Sequence, residues 1–95
     1  MRIKTLPDYD AWIANLRDRS AILRITQRLA RVELGNMGDQ KSVGGGVVEL
    51  RTHHGPGYRL YLTRRGNDFI ILLCGGDKSS QDADIRKAHQ LASGV

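Results

Sequence analysis

The chain has 95 residues, enough for one domain and too few for two, so we expect a single domain over residues 1–95. A chain of this size buries a modest core, which disfavours a large enclosed substrate cavity and favours function on a surface or in a shallow groove. Its 15 lysines and arginines against 10 acidic residues give a formal charge of +5, typical of proteins that bind nucleic acid, acidic membranes or acidic proteins. Arginine outnumbers lysine by 11 to 4, and this favours nucleic acid because the planar guanidinium suits phosphate.

The first third of the chain has the pattern of a short strand followed by two helices. Met1 to Thr5 alternates weakly, as a strand does. Pro7 suits the first turn of the first helix, Ser20 can cap the second helix, and Gly35 can end it. The apolar residues at helical spacing are Tyr9, Trp12, Ile13 and Leu16 in the first helix and Ile22, Ile25, Leu29 and Val32 in the second. These patterns predict a helical hairpin with one buried face.

The middle of the chain changes to the two-residue period of strands. Val47 to Arg51 and Tyr58 to Thr63 alternate, and His53 to Gly57 between them is typical of a hairpin loop. Gly66-Asn67 marks the next turn. Phe69 to Cys74 is apolar at every position, which indicates a central strand covered on both faces.

A final helix follows, for which Ser79 or Ser80 can supply the cap and Asp82 stands where a capping box would place it. Its inner face contains Ile85, Ala88 and Leu91. The predicted order is β-α-α-β-β-β-α, a mostly antiparallel sheet packed on a helical hairpin. This is an α+β domain.

Cys74 is the single cysteine, so no disulfide can form within the chain, and this fits a reducing cytoplasm. In its apolar run it is expected to be a core residue and not a nucleophile. No signal peptide is visible, and no segment approaches the roughly 20 apolar residues of a membrane span. We expect a cytoplasmic protein that does not contact membranes. No metal or other cofactor is expected, since Cys74 is predicted to lie apart from the histidines.

Strand parity places several polar side chains on one face of the sheet. If Val48 and Leu50 face the core, Glu49 and Arg51 face the other way, and the same argument applies to the next strand. The polar set is then Glu49, Arg51, Arg59 and Tyr61, with His53 and His54 in the loop at one end and Asp77 and Lys78 in the turn after the last strand. For an arbitrary sequence the commoner outcome is that such arginines are solvated residues paired with the glutamate.

Two segments carry a resemblance to a known family. Residues 50–61, LRTHHGPGYRLY, resemble the LR…GPGYR…Y pattern of RelE/ParE-superfamily toxins. Residues 72–85, LLCGGDKSSQDADI, resemble the LL-x-GGDK-x-x-Q-x-x-DI block of the same proteins. Both are typical of the addiction-module killer proteins close to HigB, and the likeness extends over essentially the whole chain. It implies a RelE-like fold and a toxin of a type II toxin–antitoxin system.

The resemblance also implies roles for individual residues. RelE and HigB proteins cleave mRNA on the ribosome, without a cofactor, and fixed cationic groups there stabilise the charge on the reacting phosphate. Arg59 falls on the arginine of the GYR pattern, which implies that it stabilises the phosphate. Lys78 falls in the block after the last strand, where such enzymes carry another cationic residue. Together with the residues that strand parity places nearby, the candidate catalytic residues are Arg59, Arg51, Lys78 and His54. Further proton-transfer candidates are His53, Glu49 and Asp77, and the candidate nucleic-acid contacts are Arg51, Arg59, Tyr61 and Lys78. The chain departs from the pattern in having no tyrosine after Tyr61, where many relatives carry a catalytic group, and His89 does not align with that role.

Three functions therefore remain open at the level of the sequence. The first is a ribosome-associated, metal-independent mRNA endonuclease that inhibits translation and is neutralised by a cognate antitoxin, expected to be a small helix-turn-helix protein from the neighbouring gene. The second is a ParE-like inhibitor of DNA gyrase, and the third is an inactive nucleic-acid-binding member of the superfamily. A further basic row on the second helix is expected to be a solvated face, with docking of ribosomal RNA or of an acidic antitoxin segment as the alternative. It consists of Arg24, Gln27, Arg28 and Arg31.

Overall fold

A mixed five-stranded sheet organises the chain, which a computed structural model describes over all 95 residues. The elements are β1 (Arg2–Thr5), α1 (Pro7–Asn15), α2 (Arg19–Glu33), β2 (Gln40–Ser42), β3 (Val47–Arg51), β4 (Arg59–Arg65), β5 (Phe69–Gly76), a 3₁₀ turn (Lys78–Ser80) and α3 (Gln81–Ser93). The strand order is β1-β5-β4-β3-β2, antiparallel throughout except that β1 runs parallel to β5. The predicted α+β class is confirmed, and the architecture is consistent with a RelE-like fold.

The strand β2 is the element that the sequence pattern did not predict. It is three residues long, pairs only with β3, and all of its side chains are exposed. A short edge strand with no buried face has no apolar alternation, so periodicity cannot detect it. Only its pairing with β3 identifies it.

One face of the sheet packs against α1 and α2 through the larger of two apolar clusters. Leu50, Leu60 and Leu62 of the central strands lie fully buried there against α2 residues such as Ile25 and Val32. At about 25 cal/mol per Å² of apolar surface, this burial is the main favourable term available to so small a domain. The helical hairpin and its buried face are as predicted.

The opposite face of the sheet is partly covered by α3, and here the structure corrects the sequence analysis. That analysis treated this face as a polar surface, whereas Tyr61 and Leu73 lie buried on it against Ala88 and Ala92 of α3. A bulge in β5 contributes, because Tyr61 pairs with Cys74 while Leu62 pairs with Leu72, leaving Leu73 without a partner. Helices therefore lie on both sides of the sheet, and only the end of this face beyond α3 remains open.

The helical caps agree with expectation only in part. Asp18, and not Ser20, caps α2 by accepting a hydrogen bond from the backbone of Ala21 at 3.1 Å. Ser80 stands at the N-cap position of α3, as predicted, but its side chain makes no capping hydrogen bond, and Asp77 caps the 3₁₀ turn ahead of the helix. The predicted end of α2 is correct, since Gly35 adopts φ +92° directly after the helix. No helix is both long enough and apolar enough to cross a lipid bilayer.

Gly75 is predicted to be a sensitive packing position because it faces the indole of Trp12. A β-carbon there would overlap the Trp12 ring, so Gly75→Ala should lower the free energy of unfolding by about 1–3 kcal/mol. Gly94→Ala is the matched control, since a β-carbon there meets its nearest neighbour at an ordinary 3.6 Å. Urea denaturation followed by circular dichroism measures both, and equal midpoints for the two variants would contradict the packing described here.

Candidate nucleic-acid interface

A buried carboxylate, that of Glu49, lies at the centre of the polar cluster on the α3 side of the sheet. It is fully buried and accepts hydrogen bonds from Arg51 Nε at 3.0 Å, Tyr61 Oη at 3.1 Å and Gln81 Nε2 at 2.9 Å. Arg59 Nε lies 3.7 Å from the same carboxylate. The strand register explains the grouping, because Glu49 pairs with Tyr61 and Arg51 pairs with Arg59 on neighbouring strands.

The hydrogen bonds around Glu49 decide its ionisation. Burial by itself raises the pKa of the carboxyl group, but the hydrogen bonds from Arg51, Gln81 and Tyr61 and the charge of Arg59 outweigh burial. The pKa of Glu49 therefore lies below its ordinary value, and the group is ionised at neutral pH. An ionised carboxylate with no exposed surface orients the arginines and is not placed to transfer protons to a substrate.

Arg59 is largely enclosed by its surroundings. Its Nη1 donates a hydrogen bond to the carbonyl of Gly57 at 2.8 Å, and only 13% of its side chain is exposed. Its buried Nε has no hydrogen-bond partner, although it faces the Glu49 carboxylate. Gly57 has φ +75°, and a β-carbon there would lie 3.2 Å from Arg59 Nη1, so glycine lets the loop approach the guanidinium.

The loop between β3 and β4 and the turn after β5 enclose a shallow groove beside Arg59. The loop is closed by Thr52, whose backbone donates to the carbonyl of Tyr58 at 2.9 Å, and it contacts the turn because Lys78 N donates to Pro56 O at 3.3 Å. We call this the sheet-end groove; its volume is about 530 Å³. It is lined by Arg51, Thr52, His53, Gly55, Pro56, Gly57, Arg59 and Lys78. Three of the predicted cationic residues therefore meet in one place.

The two loop histidines differ in their access to this groove. His53 lines it, is 78% exposed, and its Nε2 lies 2.6 Å from the carboxylate of Asp39. His54 does not line it; its Nε2 lies 3.7 Å from the carboxylate of Asp18, at the start of α2. His54 was predicted to be catalytic ahead of His53, whereas the geometry favours His53.

Tyr61 and Asp77 do not line the sheet-end groove. Tyr61 is fully buried and donates its hydroxyl to Glu49, so its ring is not available to stack on a base. Asp77 accepts hydrogen bonds from the hydroxyl of Ser79 at 2.5 Å and from its backbone at 2.9 Å. These bonds, partly opposed by burial, lower the pKa of Asp77 below its ordinary value. Both residues are placed to support the structure of the site.

Cys74 and His89 also lie away from the groove. Cys74 is 2% exposed, as expected for a core residue, and burial, assisted by the charge of Asp84, raises the pKa of its thiol to about 12. His89 Nε2 lies 2.9 Å from the carbonyl of Val43, and its ring packs beside Gly45. Neither side chain is positioned to act on a substrate in the sheet-end groove.

The basic row of α2 is exposed as expected at Arg24, Gln27 and Arg31, but not at Arg28. Arg28 is only 7% exposed and donates from Nη2 to the carbonyl of Asp39 at 2.8 Å. The row lines a second depression of about 330 Å³, which we call the helix-side groove. Its lining is Arg24, Gln27, Arg28, Arg31, Asn36, Gly38, Asp39, Arg51, Thr52, His53 and His54.

Two residues of the site escaped the sequence analysis. Asp39 lies in an unpatterned segment before β2, yet its carbonyl accepts from Arg28 and from the backbone of Arg51, and its carboxylate contacts His53. No local signal indicates such a residue. Gln81 did carry a signal, since it is the glutamine of the block at residues 72–85, and its amide completes the shell around Glu49.

Comparison with known proteins assigns the chain to a family. The family described as "Phage derived protein Gp49-like (DUF891)" matches residues 11–93. An uncharacterized protein of Haemophilus influenzae is 47% identical over 92 residues, which span 97% of this chain and 93% of that relative. The chain therefore belongs to the Gp49-like family of phage-derived proteins, a toxin-like family of the RelE/Gp49 group. Neither comparison assigns it specifically to RelE or HigB.

Replacing Glu49 should destabilise the protein and change its response to acid. Glu49→Gln leaves Arg51 and Arg59 without a buried counter-charge, which should cost about 3 kcal/mol at pH 7. Because the pKa of Glu49 is lowered in the folded state, its stabilising contribution is present above its ordinary value of 4.5 and is lost as the pH falls through the folded-state pKa. Urea denaturation at pH 7 and at about pH 3 measures the difference.

The control for this experiment is Glu33→Gln, because Glu33 is an exposed residue at the end of α2. We expect Glu33→Gln to keep the pH dependence of the wild type, whereas Glu49→Gln should show a smaller loss of stability on acidification. An unchanged pH dependence in Glu49→Gln would show that the carboxylate does not have the role described here.

Proposed function

We propose that this protein is the toxin of a type II toxin–antitoxin pair and that it cleaves RNA in the sheet-end groove without a metal ion. The observation that carries the proposal is the pair of guanidinium groups beside a buried carboxylate: Arg51 is hydrogen-bonded to Glu49 and Arg59 lies 3.7 Å from it. Both arginines line a groove that also contains Lys78 and His53. Membership of a toxin-like family supports the same reading.

The arrangement suits transesterification of RNA by its own 2′-hydroxyl. The 2′-oxygen attacks the adjacent phosphorus, its proton goes to a base, and the bond to the 5′-oxygen breaks as that oxygen takes up a proton. The products are a 2′,3′-cyclic phosphate and a 5′-hydroxyl. Negative charge accumulates on the phosphate oxygens in the transition state, and fixed guanidinium groups stabilise this charge with little reorganisation. Arg59 is the more buried of the two arginines, with 13% of its side chain exposed against 31% for Arg51, so we assign it the largest share.

His53 is the group best placed to move a proton in this reaction. It lines the groove with the cations, and the carboxylate of Asp39, 2.6 Å from Nε2, orients the ring so that Nδ1 is the nitrogen left for a substrate. Imidazole changes charge near neutral pH and can act as acid or base, which suits this role. His54, paired with Asp18 outside the groove, is assigned a positioning role in the loop.

The proposal extends to the setting of the reaction. The substrate would be mRNA on the ribosome in the bacterial cytoplasm, and an antitoxin encoded beside the toxin would neutralise it. A domain of charge +5 with an open cationic groove is easily blocked by an acidic segment of such a partner.

Expression of the chain alone in a bacterium should arrest growth, and Arg59→Ala should relieve the arrest. Removing a fixed stabilising group of this kind typically lowers the rate by about 10²-fold or more. Mapping transcript ends after induction measures cleavage directly. Arg86→Ala, an exposed arginine of α3 outside the groove, is the matched control and should remain toxic. Growth arrest with intact transcripts would contradict the ribonuclease proposal and would instead support gyrase inhibition.

Replacing the two histidines separately distinguishes their roles. His53→Ala should reduce RNA cleavage by about 10²–10⁴-fold, the usual contribution of general acid–base catalysis, with little change in RNA binding. His54→Ala should have a smaller effect, because His54 does not line the sheet-end groove. Single-turnover cleavage of mRNA in a translating extract measures both. A larger loss in His54→Ala than in His53→Ala would reverse the assignment.

A further inference from the structure

The helix-side groove has an unusual lining for a surface depression of a small protein. Four arginines face a single aspartate, and no hydrophobic residue takes part. The arginines come from two separate parts of the chain, three from α2 and one from β3. A row of charges on a helix is ordinarily solvated, but here tertiary folding has closed the row into a concave site.

The construction of this groove depends on Arg28 and the segment opposite it. The guanidinium of Arg28 bonds to the carbonyl of Asp39 and packs so closely against Gly38, at φ +64°, that a β-carbon there would overlap it. Burial and the charge of nearby Arg31 both lower the pKa of Arg28, and Asp39 offsets this only in part. Cations held this close together are stabilised by a bound anion.

The two grooves adjoin each other. Arg51, Thr52 and His53 line both of them, so a strand that crosses these residues from the sheet-end groove reaches the helix-side groove. Arg51 is therefore the point where the two sites meet. A ligand that spans both must carry repeated negative charge.

We propose that the helix-side groove binds the backbone phosphates of single-stranded RNA that continues from the cleavage position, with Arg24 and Arg31 as the outer contacts and Arg28 as the inner one. The inference rests on the proposed function, since it takes the strand in the sheet-end groove to be RNA. The affinity for RNA should then depend on the length of the strand. The reacting phosphate itself is held in the sheet-end groove, by Arg59 alone or with Arg51 and Lys78.

The chemistry of the lining favours a polynucleotide over an acidic protein segment. The energetic centres of protein interfaces are enriched in tryptophan, tyrosine and arginine, and this groove has arginines but no aromatic or other hydrophobic residue. Guanidinium groups bind phosphate oxygens through paired hydrogen bonds, and contacts of this kind bind any sequence equally well. The groove should therefore add affinity without base specificity.

The test compares two double variants that each lose two positive charges. Arg24→Ala/Arg31→Ala removes the two exposed outer contacts, and Arg64→Ala/Arg86→Ala removes two exposed arginines that line neither groove. Fluorescence anisotropy measures the binding of fluorescein-labelled 2′-O-methyl RNA, which lacks the attacking hydroxyl, at lengths of about 4 and about 16 nucleotides. Each is titrated over a salt series, with polyglutamate as a competitor.

We expect Arg24→Ala/Arg31→Ala to weaken binding of the long strand by about tenfold, to reduce its salt slope by about 1.4, and to leave the short strand unchanged. The Arg64→Ala/Arg86→Ala control should retain both affinities. Equal effects of the two variants, with Arg59→Ala still weakening the short strand, would overturn this inference and leave the proposed function standing. No binding of either strand to the wild type would overturn this inference, while the proposed function would still be decided by the transcript ends mapped after induction. Displacement of the long RNA by polyglutamate at equal charge would identify an acidic protein as the occupant and overturn the RNA assignment.

Discussion

The ionised carboxylate of Glu49 is the one acidic side chain that the fold buries completely, and the cationic site depends on it. A buried charge is costly, and its replacement by packed apolar groups is often neutral or stabilising, so stability alone does not account for it. What the carboxylate provides is geometry. It accepts hydrogen bonds from Arg51, Tyr61 and Gln81 and faces Arg59, so four side chains from three elements take fixed positions.

The second constraint is the short loop between β3 and β4, which contributes residues to both grooves. Its glycine carbonyl holds Arg59, its proline carbonyl holds the backbone of Lys78, and its two histidines pair with Asp39 and Asp18. These contacts join the end of the sheet to the start of α2. Residues of this loop therefore line both the sheet-end groove and the helix-side groove.

The helices cover the two faces of the sheet to different extents. The face toward α1 and α2 contains the larger apolar cluster, including Leu50, Leu60 and Leu62. The other face is apolar only where α3 covers it, and beyond that point it carries the arginines. Because side chains alternate along a strand, β3 and β4 place core residues on one face of the sheet and Arg51 and Arg59 on the other. The residues of the larger apolar cluster and the arginines therefore occupy alternate positions along β3 and β4.

The sequence by itself determined the α+β class, the bounds of β3, the helical hairpin and the shared face of Glu49, Arg51, Arg59 and Tyr61, because periodicity and parity are local properties. It could not determine how far that face is exposed. Burial of Glu49 and Tyr61 follows from the docking of α3, which no local pattern encodes. The pairing of β2, the partners of Asp39 and the closing of the α2 arginines into a groove likewise depend on segments far apart in the chain. Tertiary packing decides such contacts, because the residues that make them are distant in sequence and no local pattern predicts their pairing.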